Sequence, residues 1–339
     1  MITVGLDVHR SRTSVALLDE TGELLGNRSV PTENVSELIL SLPVPARVVM
    51  EAGTTSMVLA RTLKSCIDDV TVVSCSEARR QLKSMATAKT DRLDAENLAI
   101  AHHKDKLEYG MIWVPDQATW ELRGLTRTRI RLVRQRVSLQ VQLRNVLEWI
   151  NHPCQGAINS KAGRQWLQDL DLELAEATMV EALVASMDAV DAQIDLLAGC
   201  IRESSSECWQ CKLLMTLPGV ADVLAPTMRA EIGVIERFPS APHLASYSGL
   251  PPATEQSGGR ESGKGMQKDG NRWLRWAFIE AAQHFAYASA TQELSPVKRF
   301  HRLAIRKHRN VAKVALANEL TGIVYAMLRD REPFDPRRL

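Results

Sequence analysis

The first hundred residues alternate between short strand patterns and amphipathic helix patterns. The strand patterns, rich in β-branched residues, lie at 2–8, 13–18, 24–30, 47–51 and 70–74. The helix patterns lie at about 33–42 and 56–65 and from Asp91 onward. Three antiparallel strands followed by alternating helices and strands are the order of a ribonuclease H fold, although other α/β proteins share parts of that order.

Beyond residue 117 the pattern becomes helical with a long period. Apolar residues recur in three- and four-residue steps over 117–150 and again from Leu183 to Ile201, as in a coiled coil. The first stretch is rich in arginine and the second in acids, so either the two helices neutralise each other or the arginines face nucleic acid, and both can hold. Later helices are predicted at 272–282 and 311–328.

These patterns predict an α/β domain followed by all-α parts. The predicted domains are a ribonuclease H fold at 1–108, a helical coiled-coil connector at 109–205 and a helical domain at 206–339.

Composition narrows the class of protein. The formal net charge of +2 hides a strong segregation of acids and bases along the 339 residues. No apolar run approaches the roughly 20 residues of a membrane span, so we expect a cytoplasmic protein. The six scattered cysteines are expected to be free thiols, and Cys208 and Cys211 have zinc-ligand spacing without a second pair.

Two glycine-containing motifs lie in the last third of the chain. Leu-Pro-Gly-Val at 217–220 is typical of a helix-hairpin-helix element, in which Gly219 lets backbone amides approach a DNA phosphate; the alternative is an ordinary turn. The stretch SGGRESGKG at 257–265 approximates a phosphate-binding P-loop. However, Gly265 stands where that motif needs a hydroxyl and prolines precede it, so we expect a flexible loop and no nucleotide cofactor.

Acidic residues stand at the three places where a ribonuclease H fold gathers its carboxylates. Asp7 interrupts the first strand and Glu51 closes the fourth. Asp91 and Asp94 share one helix face, although Asp94 could also be a helix-capping acid. Converging carboxylates repel one another unless divalent cations lie between them, which predicts two Mg²⁺ ions about 3.5–4 Å apart at a phosphodiester.

Actin-like ATPases share this first hairpin, but they follow the aspartate with small residues that wrap phosphate. Here His9, Arg10 and Ser11 follow Asp7, which argues against an ATPase.

The chain resembles, over nearly its whole length, the DEDD-type transposases of insertion-sequence family one-ten, which are bridge-RNA-guided recombinases. The motifs that carry the resemblance are Gly5-Leu6-Asp7, Glu51-Ala52-Gly53-Thr54, Lys89-Thr90-Asp91-Arg92-Leu93-Asp94-Ala95, Leu217-Pro218-Gly219-Val220, Tyr247-Ser248-Gly249-Leu250, Ser257-Gly258, Gly270-Asn271-Arg272 and Leu274-Arg275.

The resemblance implies a mechanism and a set of partners. It implies a RuvC-like metal site formed by the four acids and a nucleophilic serine in the second, transposase domain, for which Ser257 matches. Ser248 and Ser262 are the rival nucleophiles. It also implies donor and target DNA, an element-encoded bridge RNA, and two dimers assembled into a tetramer, whose protomers share each site.

Basic and polar residues supply the expected nucleic-acid contacts. A run from Pro296 to Val314 contains no acid, which favours phosphate contacts over a solvated helix face. The predicted contacts are Arg123, Arg127, Arg131, Arg134, Gly219, Lys264, Lys268, Asn271, Arg272, Arg275, Arg299, Arg302, Arg306 and Lys307.

Two other functions remain open at this point. One is a structure-selective nuclease that uses water at the four acids and does not need Ser257. The other is a non-catalytic scaffold for nucleic acid, which the four clustered acids disfavour because they would repel bound phosphates.

Overall fold

The computed structural model describes residues 1–76, 90–107, 110–154, 156–257, 260–266 and 270–338, and in 252–257 and 260–266 it describes the backbone alone. The chain forms two compact units, Met1–Gln117 and Ala118–Leu339. The second unit contains the predicted C-terminal domain and residues 118–205 of the predicted connector, whereas residues 109–117 of that connector belong to the first unit. The predicted boundary at 205–206 stays a prediction.

The first unit contains a five-stranded sheet of order β3-β2-β1-β4-β5. Its strands are β1 (Ile2–Val8), β2 (Arg12–Leu18), β3 (Leu24–Pro31), β4 (Ala46–Glu51) and β5 (Val70–Val73). Its helices are a 3₁₀ turn (Thr32–Asn34), α1 (Val35–Leu40), α2 (Thr54–Lys64) and α3 (Asp91–His103). Neighbours among the first three strands are antiparallel, whereas β4 runs parallel to β1 and β5 parallel to β4. The predicted elements are confirmed, and the topology is consistent with a ribonuclease H-like domain.

Alternate residues of β1 point to opposite faces of the sheet. Val4 and Leu6 are buried with apolar residues of α1 and α2. Gly5 faces the other way, toward α3. The sheet is therefore covered on both faces, and its α3 face carries every second residue of β1.

Gly5 sets the distance between β1 and α3. A Cβ atom added there would lie 2.1 Å from the carbonyl oxygen of Ala95 and 2.7 Å from the backbone nitrogen of Ala99. Backbone atoms cannot move aside as a side chain can, so we expect Gly5→Ala to destabilise the first unit by about 3 kcal/mol or more. Urea titration followed by amide hydrogen exchange of β1 measures this.

Gly26 provides the matched control for Gly5. It lies in β3, and an added Cβ there meets no atom within 4 Å. Gly26→Ala should change the stability by less than about 1 kcal/mol. Equal stability of the two variants would contradict the assigned role of Gly5.

His102 in α3 makes the stability of the first unit depend on pH. Burial, and then the positive charge of Arg47, lower the pKa of His102 from 6.5 to about 4, against the weaker opposing influence of Asp69 and Asp105. The unfolded chain therefore binds more protons between those pH values, and stability present above pH 6.5 is lost as the pH falls toward 4. The free energy of unfolding that is lost in this way is roughly 3 kcal/mol.

Replacing the imidazole tests this prediction. His102→Leu should flatten the dependence of the urea midpoint on pH between 4 and 6.5. His243→Gln, at an exposed position of the second unit, should leave that dependence unchanged. A wild-type slope in the His102→Leu protein would overturn the assignment.

The second unit is mostly helical. Its α-helices are α4 (Gln117–Trp149), α5 (Lys161–Gln168), α6 (Leu174–Ser205), α7 (Trp209–Leu214), α8 (Leu224–Ile232), α9 (Ala241–Ser248), α10 (Arg272–Tyr287), α11 (Ser295–Arg306) and α12 (Arg309–Asp330). Short 3₁₀ helices lie at Ile235–Arg237, Ser289–Thr291 and Pro336–Arg338.

Helices α4 and α6 pair in opposite directions. Leu122 near the start of α4 packs with Ile201 near the end of α6, and Leu143 further along α4 packs with Met187. Between these contacts Arg136 Nη1 lies 3.1 Å from Asp191 Oδ1. Basic and acidic residues of the two helices therefore neutralise each other at this point, which is one of the two alternatives predicted from their charges.

Helix α12 is long and apolar enough to cross a membrane by composition alone. Half of its most apolar window is buried, and Leu316, Leu320 and Val324 belong to the core shared with α10. The burial of this apolar face against α10 accounts for its hydrophobicity.

The glycine-rich stretch that was expected to be a flexible loop is instead largely a β-hairpin. Strands β6 (Pro252–Ser257) and β7 (Arg260–Met266) pair antiparallel, with Ser257 opposite Arg260. Residues 258 and 259 lie outside the described ranges. The loop expectation was wrong because the paired backbone satisfies its hydrogen bonds along a ladder despite the glycines.

The Leu-Pro-Gly-Val turn joins α7 to α8 in the core of the second unit. Gly219 has a φ of +87°, and a Cβ there would lie 2.8 Å from the backbone nitrogen of Phe285 in α10. Backbone conformation and packing thus account for the glycine, and its approach to a DNA phosphate stays a prediction.

Candidate acidic site and nucleic-acid interface

The ends of β1 and β4 bring two carboxylates to one edge of the sheet. Leu6 and Met50 are paired in the parallel register, so Asp7 and Glu51 each follow a paired residue on adjacent strands. Asp7 lies on the same face as Gly5, which meets α3. Glu51 lies on the same face as Val49, which packs with Leu98 of α3. Both acids therefore face the α3 side.

Helix α3 begins at this edge. The Thr90 hydroxyl caps it by accepting a hydrogen bond from the backbone N–H of Leu93, at 3.3 Å. Asp91 and Asp94 lie in the first turn, where the positive end of the helix dipole favours carboxylates. The cap thus fixes two acids beside the end of β1.

His9 joins the acids of the strand and the helix. Its Nε2 lies 3.2 Å from Asp7 Oδ2 and 3.5 Å from Asp91 Oδ2. One ligand atom from each of these three residues lies within 4.8 Å of the others. The sequence prediction used His9 only to argue against an ATPase and missed this position, although a residue two beyond Asp7 shares its face in an extended chain.

The electrostatics of Asp7 show that the acids converge. Burial, followed by the negative charges of Asp91 and Asp94, raises the pKa of Asp7 above 3.8, and His9 opposes this shift. A divalent cation bound by these oxygens would remove the repulsion, since hard cations prefer carboxylate ligands. The residues present therefore fit a divalent metal ion.

The three candidate serines lie at different positions in the fold. Ser257 is the last residue of β6, at the end of the hairpin. Ser262 lies within β7, opposite Glu255. Ser248 is fully buried and its hydroxyl donates to the carbonyl of Ala245 at 2.6 Å, which makes it unsuitable as a nucleophile.

A buried network lies where the hairpin leads into α10. Glu231 is fully buried and accepts two hydrogen bonds from Arg127, at 2.6 and 2.7 Å. Asn271 Nδ2 donates to the same carboxylate at 2.8 Å, while Asn271 Oδ1 caps α10. Arg123 is buried and donates to the carbonyl oxygens of Ala230 and Glu231.

This network corrects part of the predicted nucleic-acid interface. Arg123 is 8% exposed and its guanidinium has internal acceptors, so it stabilises the fold and is not available to phosphate. Arg127 donates to Glu231, and Asn271 donates to Glu231 and to the hydroxyl of Tyr247 while its Oδ1 caps α10. Arg275 donates from Nε to the carbonyl of Ser248, next to the close approach of Gly249 and Gly270.

The other predicted contacts lie in more open positions. Arg131, Arg134 and Arg272 are exposed and surround Trp273. On α11, Arg302 and Arg306 are exposed, as is Lys307 at its end, whereas Arg299 pairs with Glu319 at 2.7 Å. Lys264 lies in β7, and Lys268 lies outside the described residues.

Comparison with known families matches both units. A family profile for DEDD transposases of the IS110 type, described as "Transposase", matches residues 4–152. A second profile, "Transposase IS116/IS110/IS902 family", matches residues 211–296. Together they span more than half of the chain.

Curated relatives agree with the two profiles. The chain is 24% identical to the transposase for insertion sequence element IS1111A of Coxiella burnetii, over 98% of this chain and 90% of that protein. It is 22% identical to the transposase for IS1328 of Yersinia enterocolitica, over 96% of each. A shorter match, 32% identical over 45% of this chain and 46% of the relative, is to the pilin gene-inverting protein of Moraxella lacunata.

These matches identify the protein as a transposase, an enzyme that cuts and rejoins DNA. The chain belongs to the IS116/IS110/IS902 family, with a DEDD transposase domain at its N-terminal end. The acidic cluster at the start of α3 and the domain type both point to use of a divalent metal ion.

Proposed function

We propose that this transposase is an RNA-guided recombinase that exchanges strands of donor and target DNA through a RuvC-like four-carboxylate site and a covalent serine–DNA intermediate. The observation that carries the proposal is that Asp7 and Asp91 meet at His9, with Asp94 in the same helical turn as Asp91 and Glu51 at the end of the neighbouring strand. Repelling carboxylates at an exposed edge serve no purpose in folding, whereas they are the ligands that metal-dependent phosphoryl transfer requires.

The four acids are proposed to bind the metal ions, and the elements that carry them fix their positions. Two Mg²⁺ ions bound there would stabilise the attacking and leaving oxygens of the phosphodiester. Asp7 and Glu51 are fixed by strand register and Asp91 by the capped start of α3, so their spacing does not depend on loop conformation. His9 hydrogen-bonds to Asp7 and lies within ion-pair distance of Asp91 through the same Nε2 atom.

Ser257 supplies the proposed nucleophile. Its oxygen attacks the scissile phosphorus, one P–O bond of the DNA breaks, and the departing DNA hydroxyl takes a proton as the serine loses one. The phosphoserine keeps the energy of the broken phosphodiester, so rejoining to a second DNA hydroxyl needs no ATP and no nucleotide cofactor. Support comes from its position as the last residue of β6, whereas Ser262, the rival in the same hairpin, lies within β7 opposite Glu255.

The proposed assembly contains RNA and several copies of the chain. An element-encoded bridge RNA would select the DNA by base pairing, while the protein contacts backbone and shape. Two dimers would form a tetramer around the nucleic acids in the bacterial cytoplasm, at the nucleoid, with Ser257 and the acids of one site coming from different protomers.

The function is tested with the purified full-length protein, DNA carrying the ends of its element, and the RNA transcribed from the element's non-coding flank. We expect strand exchange in Mg²⁺, none in EDTA, and none when an unrelated RNA of equal length replaces the flank RNA. Equal binding and equal exchange with both RNAs would contradict RNA guidance. Cleavage that persists in EDTA would contradict the metal site.

A further inference from the structure

Three arginines of α4 form a stripe along one side of the helix. Arg127, Arg131 and Arg134 are spaced by four and three residues, which places them on one helix face. Their guanidinium carbons lie 5.8, 5.4 and 5.2 Å from the ring centroid of Trp273. Arg272, the first residue of α10, lies 4.7 Å from the same ring. Four guanidinium groups therefore surround a single indole.

The charges of this cluster are not balanced within the described part of the chain. Arg127 has Glu231 as its partner, and that carboxylate also accepts from Asn271. Arg131, Arg134 and Arg272 are exposed, and none of them has a carboxylate partner among the described side chains. A cation–π contact at an exposed site contributes only about 0.5–1 kcal/mol, which leaves three positive groups near one ring without a counterion.

The shape of the cluster favours a polymeric phosphate over a small anion. Guanidinium groups bind phosphate oxygens through two parallel N–H bonds, and three exposed groups, each within 5.4 Å of the ring centroid, offer more donors than a single phosphate accepts. Trp273 itself is only 5% exposed, so it orients the arginines and is not free to stack on a base. The cluster would therefore contact the phosphate backbone and not the edges of the bases.

The base of the hairpin lies close to the arginine cluster. Gly249 before β6 and Gly270 before α10 are in close backbone contact, so the base of the hairpin lies at the start of the helix that carries Arg272 and Trp273. The chain from Gly249 to Ser257 spans at most about 29 Å. At about 3.4 Å per nucleotide, a phosphate at the cluster lies within roughly ten nucleotides of a phosphate at Ser257.

We propose that Arg131, Arg134 and Arg272, held around Trp273, bind successive backbone phosphates of the DNA strand that the β6–β7 hairpin acts on. This assignment rests on the proposed function in one respect, namely that Ser257 acts on DNA. The cluster positions the strand and does not take part in the chemistry.

The test measures the salt dependence of binding to a fluorescent duplex that carries the element end. The variant Arg131→Gln/Arg134→Gln/Arg272→Gln keeps polar side chains and removes three charges. Because each lost phosphate contact lowers the slope of log K against log salt by about 0.9, we expect the slope to fall by roughly 2–3 and the affinity at low salt to fall at least about tenfold.

A charge-matched control separates local contact from net charge. Arg28→Gln/Lys104→Gln/Lys161→Gln removes three exposed positive charges elsewhere and should retain the wild-type slope. The same titrations are repeated with a single-stranded RNA of equal length. A slope that falls for RNA and not for DNA would overturn the assignment to DNA, and a slope equal to that of the control variant would overturn the cluster as a phosphate site.

A second measurement uses the unchanged protein and so does not depend on folding of the variant. Phenylglyoxal modifies accessible arginines, and mass spectrometry locates the products. DNA should protect Arg131, Arg134 and Arg272 and leave Arg28 reactive; equal modification with and without DNA would overturn the proposal. Failure of the wild-type protein to bind DNA at all would instead refute the proposed function, and this inference with it.

Discussion

Ser257→Ala protein is expected to lose the covalent protein–DNA adduct and strand exchange together. With a substrate that traps the cleaved end, the wild-type protein should form an adduct that survives denaturation and whose mass maps to the Ser257 peptide. The alanine variant lacks the oxygen that would form the bond to phosphorus. Water at the same acids would give hydrolysis without conserving the bond energy, so exchange cannot continue.

Ser262→Ala is the matched control, because Ser262 lies in the same hairpin on the opposite strand. It should keep both the adduct and the exchange. Cleavage by the Ser257→Ala protein at the wild-type rate, without an adduct, would establish instead a nuclease that uses water. An adduct that maps to Ser262 would show that Ser262, and not Ser257, is the nucleophile.

Asp7→Asn is expected to abolish DNA cleavage while the fold becomes no less stable. Burial, followed by the negative charges of Asp91 and Asp94, raises the pKa of Asp7, so its charged form is disfavoured in the folded protein and an uncharged side chain removes this penalty. The asparagine cannot replace a carboxylate ligand, however. Activity and stability should therefore change in opposite directions.

Metal binding gives this prediction a readout apart from activity. Adding Mg²⁺ or Mn²⁺ should raise the melting temperature of the wild-type protein by binding the folded state and should leave that of Asp7→Asn nearly unchanged. Glu20→Gln, at an exposed acid in the turn after β2, should behave as wild type. Full cleavage activity in the Asp7→Asn protein would contradict the proposed role of these carboxylates as metal ligands.

The elements of the first unit could be predicted because each strand and helix has its own periodicity. Strand β1 was predicted with the observed bounds, and α3 begins at the predicted Asp91. The β6–β7 hairpin could not be recognised in the same way, since glycines at 258, 259, 263 and 265 are typical of a loop. Pairing between strands is decided by the partner strand and not by local propensity alone.

Some features of the candidate site could be predicted from the nearby sequence, and others depend on residues far away in the sequence. The three acid positions follow from element order, and the position of His9 follows from strand alternation once β1 is known to extend to Val8. The burial of Arg123 and the pairing of Arg127 with Glu231 could not be predicted, because their neighbours on α4 are the equally basic Arg131 and Arg134. Only the partner Glu231, more than a hundred residues away, distinguishes the two pairs.

The carboxylate of Glu231 has an evolutionary consequence. It accepts hydrogen bonds from Arg127 on one long helix and from Asn271 at the start of another, and the Glu231 side chain itself is fully buried. Loss of Arg127 would leave this buried carboxylate with fewer charged partners, which destabilises a fold that is only marginally stable. A substitution at one of these positions would therefore be retained in evolution only together with a compensating substitution at another, although the positions lie far apart in the sequence.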